Sequence, residues 1–371
     1  MTDVPILYGS PLSLYTGKAR SYLIKNNIPY REIRPGSGHY EDHVLPLARA
    51  RTMPILETAG GKIIRDSTAI IDHFEQSSGY SSQPSTPKQA MVSRLFDVIG
   101  AEGLLRPAMH YRWNFDEENI EFITFSFTLG VEDEGRKKAI LGFMDRMRMM
   151  AVAFGASPEN HATIESLYEE LLDKLNDHFA SYPYLLGYKP CIGDFGLIAP
   201  LYAHLGRDPA PLRLMQQRAP RVFRWVERMN RPDPDVGEFP AANLEFIGDD
   251  VIPETLVAVL KHVAEDFVPE TIAAADCVND WLASQEALAV GTPIERGVGM
   301  GTYTVRGLEF QSLAQPYRFY LLRRIQDRYA ELDEAETGDV DRLFQASGMK
   351  AVLSATINRV IGRENNLEVW L

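Results

Sequence analysis

The sequence predicts an α/β domain at the N-terminus, then an all-helical domain, then a mostly helical C-terminal extension. Three observations predict this division. Short apolar runs alternate with helical patterns up to residue 80, a segment rich in Ser and Pro follows at 81–87, and helical spacing dominates beyond it. With 371 residues, the chain is long enough for two or three domains. We place the domains at 1–80, 88–235 and 236–371.

The N-terminal domain is predicted to follow the order strand, helix, strand, helix, strand, strand, helix. The predicted strands are 4–8, 29–33, 54–58 and 62–65, and the predicted helices are 15–24, 40–50 and 67–76. Ala59-Gly60-Gly61 joins the last two strands as a hairpin turn. Asp66-Ser67 provides an N-cap for the final helix. A unit of this size suits a small sheet with helices on its faces.

Helical spacing predicts most of the remaining elements. The clearest pattern is Ile164, Leu167, Leu171, Leu175 and Phe179, with apolar residues three or four apart. The other helices of the second domain are predicted near 88–112, 136–153, 195–205 and 220–230, and those of the extension near 253–268, 270–288, 317–332 and 339–347. Residues 301–310 are predicted to form a hairpin. Pro232-Asp233-Pro234 marks the end of the second domain.

Charge and composition exclude several classes of function. The net charge of −13 argues against general nucleic-acid binding. No apolar run approaches the roughly 20 residues of a membrane span. Met1-Thr2-Asp3 does not begin a signal peptide, and two cysteines are too few for a disulfide framework, so we expect a cytoplasmic protein. Residues 1–80 carry nine Lys/Arg and eight Asp/Glu, so the acidic excess lies elsewhere. An anionic ligand is therefore most plausible in this domain.

Three segments of the N-terminal domain have residue types suited to binding a small ligand. Ser13 opens the first helix, where backbone N–H groups and the helix dipole favour an anion such as a thiolate. Pro54 opens a strand in Thr52-Met53-Pro54, and a cis peptide there would turn the Met53 backbone toward a ligand. Asp66-Ser67 offers groups for the ammonium and carboxylate of an amino acid. Each segment also has a structural interpretation, since Ser13 and Asp66 suit N-caps and Pro54 an edge strand.

The order and spacing of these segments resemble the glutathione S-transferase superfamily, in particular its serine-type members. The resemblance implies a thioredoxin-like N-terminal domain that binds glutathione as cosubstrate. It implies that Ser13 contacts the glutathione thiol, with Tyr8 and Tyr15 as rival hydroxyls. It also implies a glutathione site formed by Tyr15, Thr52, Met53, Pro54, Asp66 and Ser67. Many members have a lysine where this chain has Thr52, so Arg49, Arg51 or His39 is expected to take the glycyl carboxylate.

The resemblance extends over roughly residues 4–230. Cys191-Ile192-Gly193-Asp194 is similar to the N-capping box of the superfamily, with Cys191 where Ser or Thr is usual. Family members are usually dimers, which implies a homodimer here. The extension from residue 236 is not explained by the resemblance and has no assigned role.

The second substrate is expected to be a small apolar electrophile. Tyr111 and Trp113 are candidate substrate residues, because the superfamily places helices of this region around the second site. Their alternative interpretation is core packing between helices. No metal is expected, since His39 and His43 lack a Cys or further His to complete a site. The predicted function is glutathione transfer, by conjugation or by displacement of an ether or halide group. A non-catalytic binding protein and a glutathione-dependent isomerase are the alternatives.

Overall fold

The N-terminal domain consists of a four-stranded sheet with helices on both faces, as a computed structural model shows. The structure describes residues 4–79, 81–232, 237–239 and 244–371. The strands are β1 (Ile6–Tyr8), β2 (Arg31–Ile33), β3 (Ile55–Glu57) and β4 (Ile63–Arg65), and the helices are α1 (Leu14–Lys25), α2 (Leu45–Ala48) and α3 (Ser67–Ser78). The sheet order is β2-β1-β3-β4, with only β1 and β2 parallel. The predicted thioredoxin-like α/β fold is confirmed.

The two faces of this sheet pack against different partners. Leu7, Leu56 and Ile64 belong to the large core that continues into the helical domain. Ile6, Tyr8 and Ile55 point to the opposite face, where a smaller cluster includes Tyr40 and Val44. Tyr40–Val44 is a π-helical turn that leads into α2. The first face therefore joins the sheet to the rest of the molecule.

The second domain contains eight helices among the described residues. They are α4 (Pro87–Val98), α5 (Leu105–Trp113), α6 (Asp116–Thr128), α7 (Glu134–Ala153), α8 (His161–His178), α9 (Ile192–Ala203), α10 (Pro209–Arg218) and α11 (Pro220–Met229). The helix predicted over 88–112 is interrupted by a π-helical turn at Ile99–Gly103. Neither α6 nor α10 was predicted from the sequence.

The capping box at the start of α9 is present. Asp194 Oδ2 accepts a hydrogen bond from the Cys191 backbone N at 2.9 Å. Its other oxygen accepts from the Leu185 N at 3.1 Å and the Trp225 Nε1 at 3.0 Å. Burial raises the pKa of Asp194 to about 6. These bonds make Asp194 a central buried acceptor of the helical domain.

The C-terminal extension is mostly helical, as predicted, and contains two hairpins. Its elements are α12 (Glu254–Ala283), β5 (Met300–Val305), β6 (Leu308–Leu313), α13 (Tyr317–Ala330), α14 (Glu334–Ala346), β7 (Ile361–Glu364) and β8 (Leu367–Trp370). The prediction of two helices divided near 269 was wrong. Pro269 lies inside α12, and buried side chains on either side of it, such as Phe267 and Thr271, hold the helix together. The β7–β8 hairpin was not predicted.

The extension shares one hydrophobic core with both other domains. Helix α12 packs on α8, whereas α13 and α14 pack on α4. The boundary predicted at 235/236 and the segment Met1-Thr2-Asp3 lie outside the described residues. Within the described ranges, no helix has the length and apolarity to cross a bilayer.

Candidate functional site

The register of the sheet brings the three candidate segments to one edge. Tyr8 pairs with Ile55, and Ile55 pairs with Arg65. The chain therefore leaves β1 toward Ser13, enters β3 from Met53-Pro54, and leaves β4 into Asp66-Ser67 along one row of residues. The Asp66 N donates to the Pro54 carbonyl at 3.1 Å, which fixes the second and third segments to each other.

Ser13 is the N-cap of α1, as the structural interpretation predicted. Its Oγ accepts a hydrogen bond from the Thr16 N at 3.2 Å. Among the described residues, no acceptor receives the hydrogen of this hydroxyl. A half-exposed hydroxyl at a helix N-terminus can thus donate to an anion while it caps the helix.

The two rival hydroxyls donate to protein acceptors. Tyr8 Oη donates to Glu57 Oε2 at 2.8 Å, on the sheet face opposite α1. Tyr15 Oη donates to the Ala101 carbonyl at 3.2 Å, across the boundary to the helical domain. Burial raises the pKa of both tyrosines. Of the three hydroxyls, only that of Ser13 does not donate to an acceptor among the described residues.

The Met53-Pro54 peptide bond is cis, as the resemblance implied. Met53 is 38% exposed and Pro54 is buried. Thr52 Oγ1 accepts from Arg65 Nη1 at 3.2 Å. Thr52 is therefore engaged with the residue before Asp66.

Asp66 is the N-cap of α3 and has a φ of 83°. Its Oδ1 accepts from the Thr68 N at 2.9 Å and the Ala69 N at 3.2 Å. Ser67 follows as the first residue of α3 and is only 1% exposed. The two residues thus lie side by side at a helix N-terminus, in the place predicted for recognition of an amino acid.

The family model for the glutathione S-transferase N-terminal domain matches residues 7–83. Residues 7–83 form a glutathione S-transferase N-terminal domain. The resemblance predicted from the sequence is confirmed for this part of the chain. A search of curated proteins finds no match.

Several solved structures are similar to the chain at low sequence identity. β-etherase LigF from Sphingobium sp. strain SYK-6 has 16% identity and a TM-score of 0.43, with 64% of this chain and 100% of that chain covered. Glutathione transferase GSTFuA3 from Phanerochaete chrysosporium has 13% identity and a TM-score of 0.44, with 63% and 98% covered. FzlA from C. crescentus has 17% identity and a TM-score of 0.37, with 66% and 100% covered.

The C-terminal extension contacts the N-terminal domain directly at the candidate site. Tyr317 Oη, at the start of α13, donates to Asp66 Oδ2 at 2.9 Å. Arg65 forms an ion pair with Glu368 of β8, and its Nε donates to the Asn366 carbonyl at 2.5 Å. The sequence carried no indication of these contacts, because the partners lie about 250 to 300 positions apart.

Two buried cationic side chains hold segments of the N-terminal domain in place, and neither was predicted from the sequence. Lys18 Nζ donates to Asp97 Oδ1 at 2.5 Å and Thr68 Oγ1 at 3.0 Å, which ties α1 to α3 and α4. Arg112 Nη1 donates to the Leu12 carbonyl at 3.0 Å, in the turn before Ser13. Lys18 precedes Tyr22 by four residues, so its position on the inward face of α1 was the available indication.

Glu102 is a buried carboxyl in the π-helical turn Ile99–Gly103, beside the N-terminal domain. It is 3% exposed, and its Oε2 has no hydrogen-bond partner among the described residues. Burial raises the pKa of Glu102 to about 7, against the opposing effect of Arg318. This carboxyl therefore changes charge near neutral pH. Its charge raises the pKa of Tyr15, and the charge of Asp66 in turn raises the pKa of Glu102.

The predicted substrate residues lie in the interior of the helical domain. Tyr111 is 3% exposed and stacks on Phe115, with ring centroids 5.0 Å apart. Trp113 is 2% exposed and stacks on Phe127. Both side chains pack in the core, and their role toward a second substrate stays a prediction.

The three candidates for the glycyl carboxylate differ in their contacts. Arg51 forms a bidentate pair with Glu41, and His39 lies 3.0 Å from Glu57. Arg49 is exposed at the end of α2, with a φ of 62°. Across the described part of the chain, no group of three or more His, Cys, Asp or Glu side chains has the arrangement of a metal site.

Proposed function

We propose that this chain is a glutathione transferase, in which glutathione binds along the sheet edge and supplies the nucleophile. The observation that carries this proposal is the row Tyr8–Ile55–Arg65, which brings Ser13, Met53-Pro54 and Asp66-Ser67 to one edge. These segments offer, in order, a hydroxyl at a helix N-terminus, an exposed methionine beside a cis-proline, and a carboxylate next to a serine. A γ-glutamyl tripeptide with a central thiol has the groups that complement this order.

Each end of the ligand has a defined role in the proposal. Asp66 takes the ligand's ammonium, and Ser67, as the first residue of α3, takes its α-carboxylate. The hydroxyl of Ser13 donates to the sulfur. A free thiol has a pKa near 8.5, and a helix N-terminus lowers it. Each unit of lowering stabilises the thiolate by about 1.4 kcal/mol.

The reaction uses the thiolate of glutathione as the attacking group, and no protein atom forms a covalent intermediate. A carbon–sulfur bond forms with the electrophilic carbon of an apolar second substrate. In a displacement, the ether or halide group leaves with its bonding electron pair. In a conjugation, the π bond at the electrophilic carbon breaks, its electron pair moves to the neighbouring atom, and that atom then takes a proton from solvent.

The test compares Ser13→Ala with wild type in two measurements. Calorimetry gives the Kd for glutathione, and chlorodinitrobenzene as a generic electrophile gives turnover at neutral pH. We expect Ser13→Ala to bind glutathione nearly as well but to lose at least about tenfold in turnover, as for a group that acts on the thiolate. Ser10→Ala is the matched control. Ser10 lies in the same turn, and among the residues that the structure describes its Oγ accepts only from the Leu12 N, at 3.3 Å.

Three results contradict parts of this proposal. Absence of glutathione binding at millimolar concentration overturns it entirely. A turnover loss confined to Tyr8→Phe or Tyr15→Phe assigns the thiolate contact to another hydroxyl. Product formation without consumption of glutathione indicates the isomerase alternative.

A second candidate function is that of a non-catalytic member of the superfamily. The observation that favours it is the covering of Asp66-Ser67 by the extension, since Tyr317 already donates to Asp66. Such a protein shows no turnover with any electrophile. Retention on immobilised glutathione separates it from a transferase, because the covered pair then excludes the ligand.

Two further properties follow from the resemblance and belong to the same proposal. We expect a homodimer in the cytoplasm, because members of the superfamily usually are dimers and the composition suits a reducing compartment. Light scattering of the full chain tests the dimer, and a monomer contradicts it.

A further inference from the structure

Tyr317 occupies the one carboxylate oxygen of Asp66 that faces away from its own helix. Asp66 Oδ1 is taken by the backbone N–H groups of Thr68 and Ala69. Asp66 Oδ2 accepts from Tyr317 Oη at 2.9 Å. The same hydroxyl lies 3.5 Å from Thr68 Oγ1. A ligand ammonium that binds Asp66 must therefore meet the Tyr317 hydroxyl at this oxygen.

The position of Tyr317 is fixed by more than this contact. Helix α13 packs on α4, and its Arg324 Nη2 donates to Asp72 Oδ1 of α3 at 2.7 Å. On the other side, the β7–β8 hairpin holds Arg65 through Asn366 and Glu368. Ser67 and Thr68 are 1% and 3% exposed. The extension thus encloses the γ-glutamyl end of the site, while Ser13 stays half-exposed.

We propose that Tyr317 is a specificity-determining residue of the glutathione site. Its hydroxyl takes the place of the ligand ammonium at Asp66, so the carboxylate keeps a partner whether or not the ligand carries an ammonium group. This inference rests on the proposed glutathione function. It predicts that the site accepts glutathione-like thiols that lack the α-ammonium, a class that a bare Asp66 would reject.

The physical reason is an exchange of hydrogen bonds at one oxygen. A ligand with an ammonium group gains a charge-assisted bond to Asp66 but displaces the Tyr317 hydroxyl. A ligand without that group leaves the Tyr317–Asp66 bond intact. Without Tyr317, the second ligand would leave a half-buried carboxylate oxygen unpaired, which costs free energy. Tyr317 therefore reduces the preference for the ammonium-bearing ligand.

The test measures two ligands against two variants of the full chain. The ligands are glutathione and its des-amino analogue, in which hydrogen replaces the α-ammonium. Tyr317→Phe is expected to lower the Kd for glutathione about fivefold, the worth of one hydrogen bond no longer displaced. The Kd for the analogue is expected to rise, because the bound analogue then leaves Asp66 Oδ2 without a hydrogen-bond partner. Tyr320→Phe is the control, because Tyr320 lies on the same helix with its ring 5.7 Å from that of Tyr317.

Other outcomes overturn the inference, and they are separable from failure of the proposed function. A weaker binding of glutathione by Tyr317→Phe shows that Tyr317 binds the ligand instead of competing with it. An equal change for both ligands shows an effect unrelated to the ammonium. If wild type and variant bind neither ligand, the proposed function itself is overturned. Amide hydrogen exchange at Thr68 and Ala69, measured without ligand, must also be faster in Tyr317→Phe, or the contact with Asp66 is absent in solution.

Discussion

The N-termini of α1 and α3 lie at the same sheet edge but in opposite states. Ser13 caps α1, is half-exposed, and keeps its hydroxyl hydrogen available among the described contacts. Asp66 caps α3, and the extension has already taken its second oxygen. Both ends have a polar N-cap in the segment that follows a strand, and they differ in what distant parts of the chain add.

This difference separates the residue proposed to act on the thiolate from the residues proposed to bind the γ-glutamyl group. The end that would stabilise a thiolate is open, whereas the end that would hold the γ-glutamyl group is enclosed by Tyr317 and the β7–β8 hairpin. An extension of this kind can alter ligand choice without any change in the residues that act on sulfur. Four variants test how strongly each end depends on its surroundings.

The largest effect is expected at the enclosed end, from Glu368→Ala. Arg65 and Glu368 form an ion pair with side chains 10% and 6% exposed. Removing the carboxylate leaves the buried guanidinium of Arg65, and the partly buried one of Arg363, without their anionic partner. This should lower the free energy of unfolding by about 4 kcal/mol. Urea denaturation measures this loss. Glu364→Ala, at an exposed position of the same hairpin, should have little effect, and equal losses would contradict the comparison.

Glu102 interacts electrostatically with Tyr15 of α1 and with Asp66, the N-cap of α3, and it should make stability depend on pH. Its pKa is raised from 4.5 to about 7 by burial, so the folded state binds the proton more tightly than the unfolded state. Its contribution is therefore most favourable below the unfolded pKa and is lost as pH rises to about 7. Glu102→Gln, neutral at every pH, should be more stable than wild type by about 3 kcal/mol at pH 8.

The same Gln variant should differ little from wild type at pH 4, where both side chains are neutral. Unfolding curves at the two pH values give the comparison. Glu117→Gln replaces an exposed carboxylate and should show no such pH dependence. A constant difference between Glu102→Gln and wild type across this range would place the Glu102 carboxylate in contact with solvent.

At the open end, Ser13→Ala should cost about 1 kcal/mol of stability through loss of the N-cap. Thermal unfolding measures this cost, which is small enough to leave the protein folded for the turnover assay. Ser13→Gly should cost only a few tenths of a kcal/mol, because glycine is tolerated at an N-cap. Equal stability of Ser13→Ala and wild type would show that the Thr16 N–H finds another acceptor.

The smallest effect is expected from Arg324→Ala, which removes the outer tie between the extension and α3. The Arg324–Asp72 pair is partly exposed, at 26% and 32% of each side chain. We expect a loss of about 0.5 kcal/mol. The loss should shrink in high salt, where surface charges are screened. A salt-independent loss of several times this size would show that the pair is effectively buried.

Local residue patterns were enough to predict the N-terminal domain. Gly61 has a φ of 81° in the β3–β4 turn, and Asp66 caps the helix that it was expected to cap. Both effects depend on residues within a few positions of each other. The family match to residues 7–83 confirms the predicted fold of this domain.

The extension was harder to predict, for physical reasons that differ between its elements. Pro269 indicated a helix end, but one missing N–H is tolerated inside a 30-residue helix with buried residues on both sides. Asn365 and Asn366 both have positive φ. Such a pair between short apolar runs indicates a hairpin, so β7–β8 could have been predicted from the sequence. The contact of Tyr317 with Asp66 spans 251 positions and has no local pattern to indicate it.

The ion pair of Arg65 and Glu368 also sets an order of events during synthesis. The two residues are 303 positions apart. At ribosomal rates, the later partner emerges on the order of tens of seconds after the earlier one. Throughout that interval the nascent N-terminal domain has the start of α3 uncovered. In a newly made chain, the proposed glutathione site is therefore uncovered at Asp66 before the extension can compete for that position.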